Sequence, residues 1–280
     1  MDHFMIPALL ACAYLAAFAL WLPRLYGRGT RAGVFTGRLA WAGLATAFVL
    51  HTASLVESGI RTGHCPIANA QELLLFVAWS LVATYFIVAL LFRSSMPAFF
   101  TAALAGLLCM GANYVGSEKM REELPLIVSA HAGLSLFAYG AFALVAINSA
   151  MYLIQLFGIR KRRWANIFAL LPSLRELDAV NLRLLQVGLG VYTAAIGAGC
   201  WWYLFGQGSV SGMKLLFASL VLFGYVVVLG LRMLGVLHGR RLALAGILLF
   251  ALALFTLYPV QHSGAWGTNK DAASAVEVQP

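Results

Sequence analysis

"GHCPIANAQELLLFVAWSLVATYFIVALLF", residues 63–92, changes character partway along. His64, Cys65, Pro66, Asn69, Gln71 and Glu72 make its beginning polar and turn-forming. From Leu73 to Phe92 no Asp, Glu, Lys, Arg or His interrupts the run. A helix needs about 20 mostly apolar residues to cross the hydrocarbon core of a bilayer, and this run supplies them. The apolarity is continuous rather than alternating, which selects a membrane helix over a barrel strand. The polar head suits a helix start. Asn69, Gln71 and Glu72 can satisfy backbone donors there, and Glu72 complements the positive end of the helix dipole.

The rest of the chain reads the same way. Of 280 residues, 62% are hydrophobic and 10% charged, whereas a soluble domain carries roughly 25% charged residues. One core could not hide so much apolar surface from water, so lipid must cover it. Eight runs read as spans: 5–23, 39–56, 73–92, 97–115, 126–157, 184–205, 214–234 and 242–260. The sequence therefore predicts an all-α polytopic membrane protein, a bundle of about eight transmembrane helices. Residues 1–266 form one domain and 267–280 a polar, disordered tail. The fifth run is longer than a bilayer requires, which predicts tilt or protrusion. In the connection 158–183, "LPSLRELDAVNLRLL" reads as a short amphipathic piece lying on the membrane surface before span six.

The net charge of +9 invites a nucleic-acid reading, but the positions of the basic residues argue otherwise. Fourteen fall in one set of connections: Arg24, Arg28, Arg31, Arg38, Arg93, the cluster Arg160, Lys161, Arg162 and Arg163, then Arg175, Arg183, Arg232, Arg240 and Arg241. The opposite side has five, namely Arg61, Lys119, Arg121, Lys214 and Lys270. Basic residues gather in cytoplasmic loops, so this bias predicts both termini on the outer side and no nucleic-acid partner. The opening "MDHFMIP" lacks the positive charge of a secretory signal, and the positives follow span one. That order predicts a retained anchor.

Ionisable residues in or near spans are the first functional candidates. His3, His64, His131 and His262 fall at or beyond outer span ends, His51 lies inside span two, and His238 faces inward beside Arg240 and Arg241. His131 opens span five and His262 follows span eight, so the two share a depth although distant in sequence. A single interfacial His is usually satisfied by water. Two neutral imidazoles facing each other can hold a haem iron. Trp201, Trp202 and Tyr203 end span six on that side and Trp266 follows His262. Such aromatics ordinarily form an interfacial belt, and they also suit the face of a porphyrin.

Cys12, Cys65, Cys109 and Cys200 make no CxxC pair. Three sit in spans as small apolar fillers, while Cys65 lies in an outer loop open to oxidation. Structural zinc spacings, a Walker-type phosphate loop and a G-x-S-x-G elbow are all missing from the sequence.

"ESGIRTGHCPIANAQELLLFVAWS" resembles a segment of the CcsA/ResC-type cytochrome c assembly proteins, roughly S-G-H-x-P-x-x-N-x-x-E-S-L-x-F-x-x-W. His64, Pro66, Asn69, Glu72, Leu74, Phe76 and Trp79 fall in register. "SAHAGLSLFAYGAFALVAINSAMYLI" is similar to the family's H-V-x-x-x-x-x-x-Y-x-x-L helix. "LDAVNLRLLQVGLGVYTAAIGAGCWW" matches its L-D region at Leu177, Asp178, Arg183, Gly188 and Thr193, and "VQHSGAW" parallels its terminal G-L-H-S-Y. The resemblance implies that His131 and His262 are haem-iron ligands. It also implies that the loop with His64, Asn69 and Glu72 flanks the haem, orienting a propionate or an axial His. His64 then serves as a neighbour or an alternative ligand.

One departure is large. Members that attach haem carry W-G-x-x-W-x-W-D-P-K-E after span six, where this chain reads "FGQGSVSGMK", keeping Gly206 and Lys214. The inner-end histidine of the next span is replaced as well, by Gly230 in a gapless register. The pattern fits the shorter HemX-like branch. The expectation is a multi-pass protein of the bacterial inner membrane that holds haem b between His131 and His262 beside Trp201 and Trp202. It acts in cytochrome c maturation or haem handling through other maturation subunits, without catalysing the ligation. Two rivals stay open: a haem-free regulatory protein that binds a partner and influences haem synthesis, and a small-molecule transporter. The transporter predicts a polar path and broken helices in matching halves, for which the sequence offers little beyond His51.

Overall fold

Each apolar run in the sequence is a helix. The computed structural model describes residues 5–26, 31–63, 65–67, 69–91, 96–115, 125–161, 173–205 and 212–262, with side chains at several helix ends, 257–262 among them, outside the described set. In chain order the helices are α1 (Met5–Tyr26), α2 (Arg31–Thr62), α3 (Ala70–Leu91), α4 (Met96–Val115), α5 (Leu126–Lys161), α6 (Leu174–Phe205), α7 (Gly212–Met233) and α8 (Arg240–His262). Seven are long and apolar enough to cross a membrane, and α8, whose described side chains stop at Thr256, is the other. The chain is an all-α, polytopic membrane bundle.

Three helices are far longer than a bilayer requires. α2 and α6 have 32 residues each and α5 has 36; at 1.5 Å per residue α5 is about 54 Å long, well beyond a hydrocarbon core of about 30 Å. The segment expected to lie on the membrane surface is instead the start of α6. Ser173 and Glu176 form a reciprocal cap: the Ser173 N–H donates to Glu176 Oε2 at 2.8 Å and the Glu176 N–H to Ser173 Oγ at 3.3 Å. Leu177, Val180, Asn181 and Leu184 then face inward and are buried. An amphipathic start thus serves protein packing rather than a lipid interface. Likewise α8 runs through His262, which was expected just beyond its span.

α5 is the hub. It packs most extensively on α6 and also on α8 and α3, while α1 packs on α2 and α4, and α3 on α4. The first four helices and the last four thus meet along α3 and α5. Pairings fix the directions. Phe76 lies under Gly133 and Trp79 against Phe137, so α3 and α5 run parallel. Phe142 meets Gly188 and Asn148 meets Leu177, so α5 and α6 are antiparallel. Small residues permit the close approach, and buried amides tie it. The Asn148 amide donates to the Leu177 carbonyl at 2.7 Å, and the Asn181 amide to Ser149 Oγ at 3.0 Å. Outward, Phe35, Phe223, Leu248 and Phe255 are each about two-thirds exposed, as a lipid-facing surface demands.

Candidate functional site

Consecutive helices alternate in direction, so the last turns of α2, α4, α6 and α8 and the first turns of α3, α5 and α7 gather at one end of the bundle. His131 stands there, in the second turn of α5. Its half-buried ring lies against α6, with Nδ1 2.7 Å from the Ala195 carbonyl oxygen. A carbonyl can only accept, so Nδ1 carries the proton and Nε2 is left with its lone pair. Nε2 has no hydrogen-bond partner among the described residues. Gly199, one turn after Ala195, makes room for the ring. A Cβ at that glycine would stand 2.9 Å from His131 Nδ1 and 3.0 Å from Cε1.

Ala195, Gly199 and Trp202 are spaced i, i+4, i+7 and share one face of α6. The Trp202 indole N–H is buried and unpartnered among the described residues, which in an apolar setting is a cost unless a ligand acceptor meets it. Trp201 is 60% exposed and leans on Phe205, with ring centroids 4.7 Å apart. Trp202 therefore belongs to the His131 face, and Trp201 to the surface beside it.

The helix register places the end of α8 at this level. Gly246 packs against Ser149, and Tyr139 hydrogen-bonds Thr256. Ten residues up α8 thus correspond to ten residues back along α5. The same register carried to His131 falls two positions past His262, about 3 Å of helix rise. The His262 side chain lies outside the described residues, as does all of His64.

Asn69 has a local role. Its Oδ1 accepts the Glu72 N–H at 2.8 Å and its carbonyl the Leu73 N–H at 3.0 Å, which makes it the N-cap of α3. Glu72 sits at the third helical position, close enough to Cys65 for its charge to act on the thiol. Burial, aided by the Glu72 carboxylate, holds Cys65 above the usual thiol range. All four cysteines are free. His51 is fully buried against α1, its Nδ1 3.1 Å from the Tyr14 hydroxyl.

Sequence reasoning missed Ala195 and Gly199, although the small-xxx-small spacing in "TAAIGAGCWW" marks a close helix contact. It also missed what Asp178 does at the far end. Asp178 Oδ2 pairs with Arg232 Nη2 at 2.6 Å and Oδ1 accepts the Gly239 N–H at 2.9 Å, pinning the α7–α8 turn to α6.

Fold and site together define a polytopic helical membrane protein with a tautomer-fixed histidine, its Nε2 without a hydrogen-bond partner among the described residues, near one end of its central helix. Residues 67–265 match the cytochrome c assembly protein family, and the chain belongs to it. It is 28% identical to Protein HemX of Brevibacillus brevis over 191 residues, covering 66% of this chain and 70% of that protein. With Protein HemX of Bacillus subtilis it shares 23% over 229 residues, 79% of this chain and 83% of the relative. Cytochrome c biogenesis protein CcsA of Synechococcus elongatus is 27% identical over 150 residues, half of this chain and 46% of that protein. Membership supports a role in cytochrome c biogenesis or haem handling.

Proposed function

We propose that the protein holds haem b at its His131 end during cytochrome c maturation, with His131 and His262 as axial ligands, and hands it on or shields it without catalysing the attachment. The observation that carries this reading is the bond from His131 Nδ1–H to the Ala195 carbonyl, 2.7 Å. A ligating histidine characteristically spends its second nitrogen in this way, which fixes the tautomer and raises the basicity of the other. Trp202 supplies an unspent donor for a propionate. Haem is cargo here, and the apolar helices around it exclude water and set its redox balance.

The excess of Lys and Arg at the opposite end, fourteen against five, supports a cytoplasmic location for that end and an outer one for the haem site. The membrane is then the bacterial inner membrane, with both termini outside. The test is a visible spectrum of the detergent-purified protein, oxidised and then reduced with dithionite, plus a pyridine haemochrome assay. Equimolar haem with a sharp Soret band and split bands on reduction is expected, and His131→Ala with His262→Ala abolishes it while the helical fold persists. Stoichiometric haem in the double variant overturns the ligand assignment. A chain that stays colourless after added haem overturns haem binding and moves the function to partner binding, the reading favoured by the loss of tryptophans in 205–214.

A further inference from the structure

At the end of the bundle away from His131, the turn between α7 and α8 borders a cavity of about 460 Å³ lined by Val236, His238, Arg240, Arg241 and Leu244. The turn is fixed in shape. Gly235 and Gly239 take left-handed φ values of 76° and 56°, the Val236 N–H donates back to the Leu231 carbonyl, and the Gly239 N–H is held by Asp178. The same carboxylate is already engaged by Arg232. Arg240 and Arg241 are exposed, and neither has an acidic partner among the described residues.

The Asp178 carboxylate at the Gly239 N–H is paired with Arg232, so it offsets little of their charge. A helix N-terminus carries partial positive charge and favours acidic residues, yet the first turn of α8 has none and begins with two arginines. An anion between them would remove that repulsion. The remaining walls are aliphatic: Val236 and Leu244 are 56% and 40% exposed, and Leu234 beside them 78%. A small inorganic anion has no use for such walls, whereas a lipid has both a phosphate and acyl chains. Basic pockets of this kind at membrane helix ends take anionic headgroups. We propose that this pocket binds the headgroup phosphate of an anionic phospholipid. Arg240 and Arg241 hold the phosphate, His238 stands at the rim, and the acyl chains run along Val236 and Leu244.

The full chain, taken from nanodiscs of phosphatidylcholine mixed equally with phosphatidylglycerol, is examined by native mass spectrometry. The wild type is expected to retain phosphatidylglycerol over phosphatidylcholine. Arg240→Gln/Arg241→Gln should cut that preference about tenfold, and Arg241→Gln alone should cut it by part of that. Arg38→Gln, an exposed arginine at the same end, should leave it unchanged. Melting in the same discs verifies that each variant is folded. Undiminished preference in the folded variants overturns the proposal. So does inorganic phosphate that raises the melting temperature in pure phosphatidylcholine as far as phosphatidylglycerol does, since the site then takes a small anion and needs no lipid.

Discussion

His131 gives its Nδ1 proton to the Ala195 carbonyl, so Nε2 is left as a lone-pair donor at a fixed angle. Gly199 makes that possible, because a side chain there would collide with the ring at 2.9 Å. Gly199→Ala is therefore expected to turn the imidazole and weaken haem binding about tenfold, the usual cost of disturbing a residue behind a ligand. Gly197→Ala is the control, since nothing lies within 4 Å of its added Cβ. Haem titration of both variants decides the matter, and equal affinities would mean that the backing of the ring is immaterial. Asp178 offers a second case. Asp178→Ala leaves the Arg232 guanidinium without its carboxylate and the Gly239 N–H without its acceptor. A loss of about 2 kcal/mol is expected in denaturant unfolding in detergent, with Asp178→Asn in between because it can still accept from Gly239. The histidine was legible in the sequence as an interfacial imidazole. What fixes its tautomer was not, because a backbone carbonyl and a missing side chain have no letter of their own.

Helix α3 begins where its polar head predicts, and Asn69 caps it through the Glu72 N–H. Asn69→Ala should cost about 1 kcal/mol, and Asn69→Asp should restore nearly all of it. The same pair separates the cap from a haem contact. If thermal stability returns with Asp and the haem spectrum never moves, capping accounts for Asn69 in full; a spectral shift in Asn69→Asp gives it a contact with the ligand. The start of α6 was misread for a physical reason. Alternating apolar and charged residues in 173–183 suit a lipid interface and a neighbouring helix equally well, and only the contact of Leu177 and Asn181 with α5 distinguishes them. The ends of α2 and α5 were read short because charged residues such as Arg31 and Lys161 stop an apolar count without stopping a helix.

At the scale of the whole molecule, the number of helices was legible because any helix facing lipid must be apolar along its length. Their arrangement was not, since the face that meets lipid and the face that meets protein are chemically alike. Only small residues such as Gly188 and Gly246, or buried amides such as Asn148, mark a seam, and they do not say which seam. Orientation is the property that most constrains the proposed function, which requires the His131 end to face the side where c-type cytochromes are assembled. Cys65 reports it directly. It lies at that end, between α2 and α3, and in a chain with Cys12, Cys109 and Cys200 replaced by Ala it is the sole thiol. A membrane-impermeant maleimide should label it in intact spheroplasts, whereas His238→Cys in the thiol-free background should react only after permeabilisation. Because burial and the Glu72 carboxylate raise the Cys65 thiol, little of it is thiolate at neutral pH, and labelling should quicken as the pH rises into the alkaline range. Glu72→Gln removes the like charge, so its rate should exceed the parent's at the same pH. Labelling of His238→Cys in intact spheroplasts with Cys65 protected would invert the topology and put the proposed haem site on the cytoplasmic side.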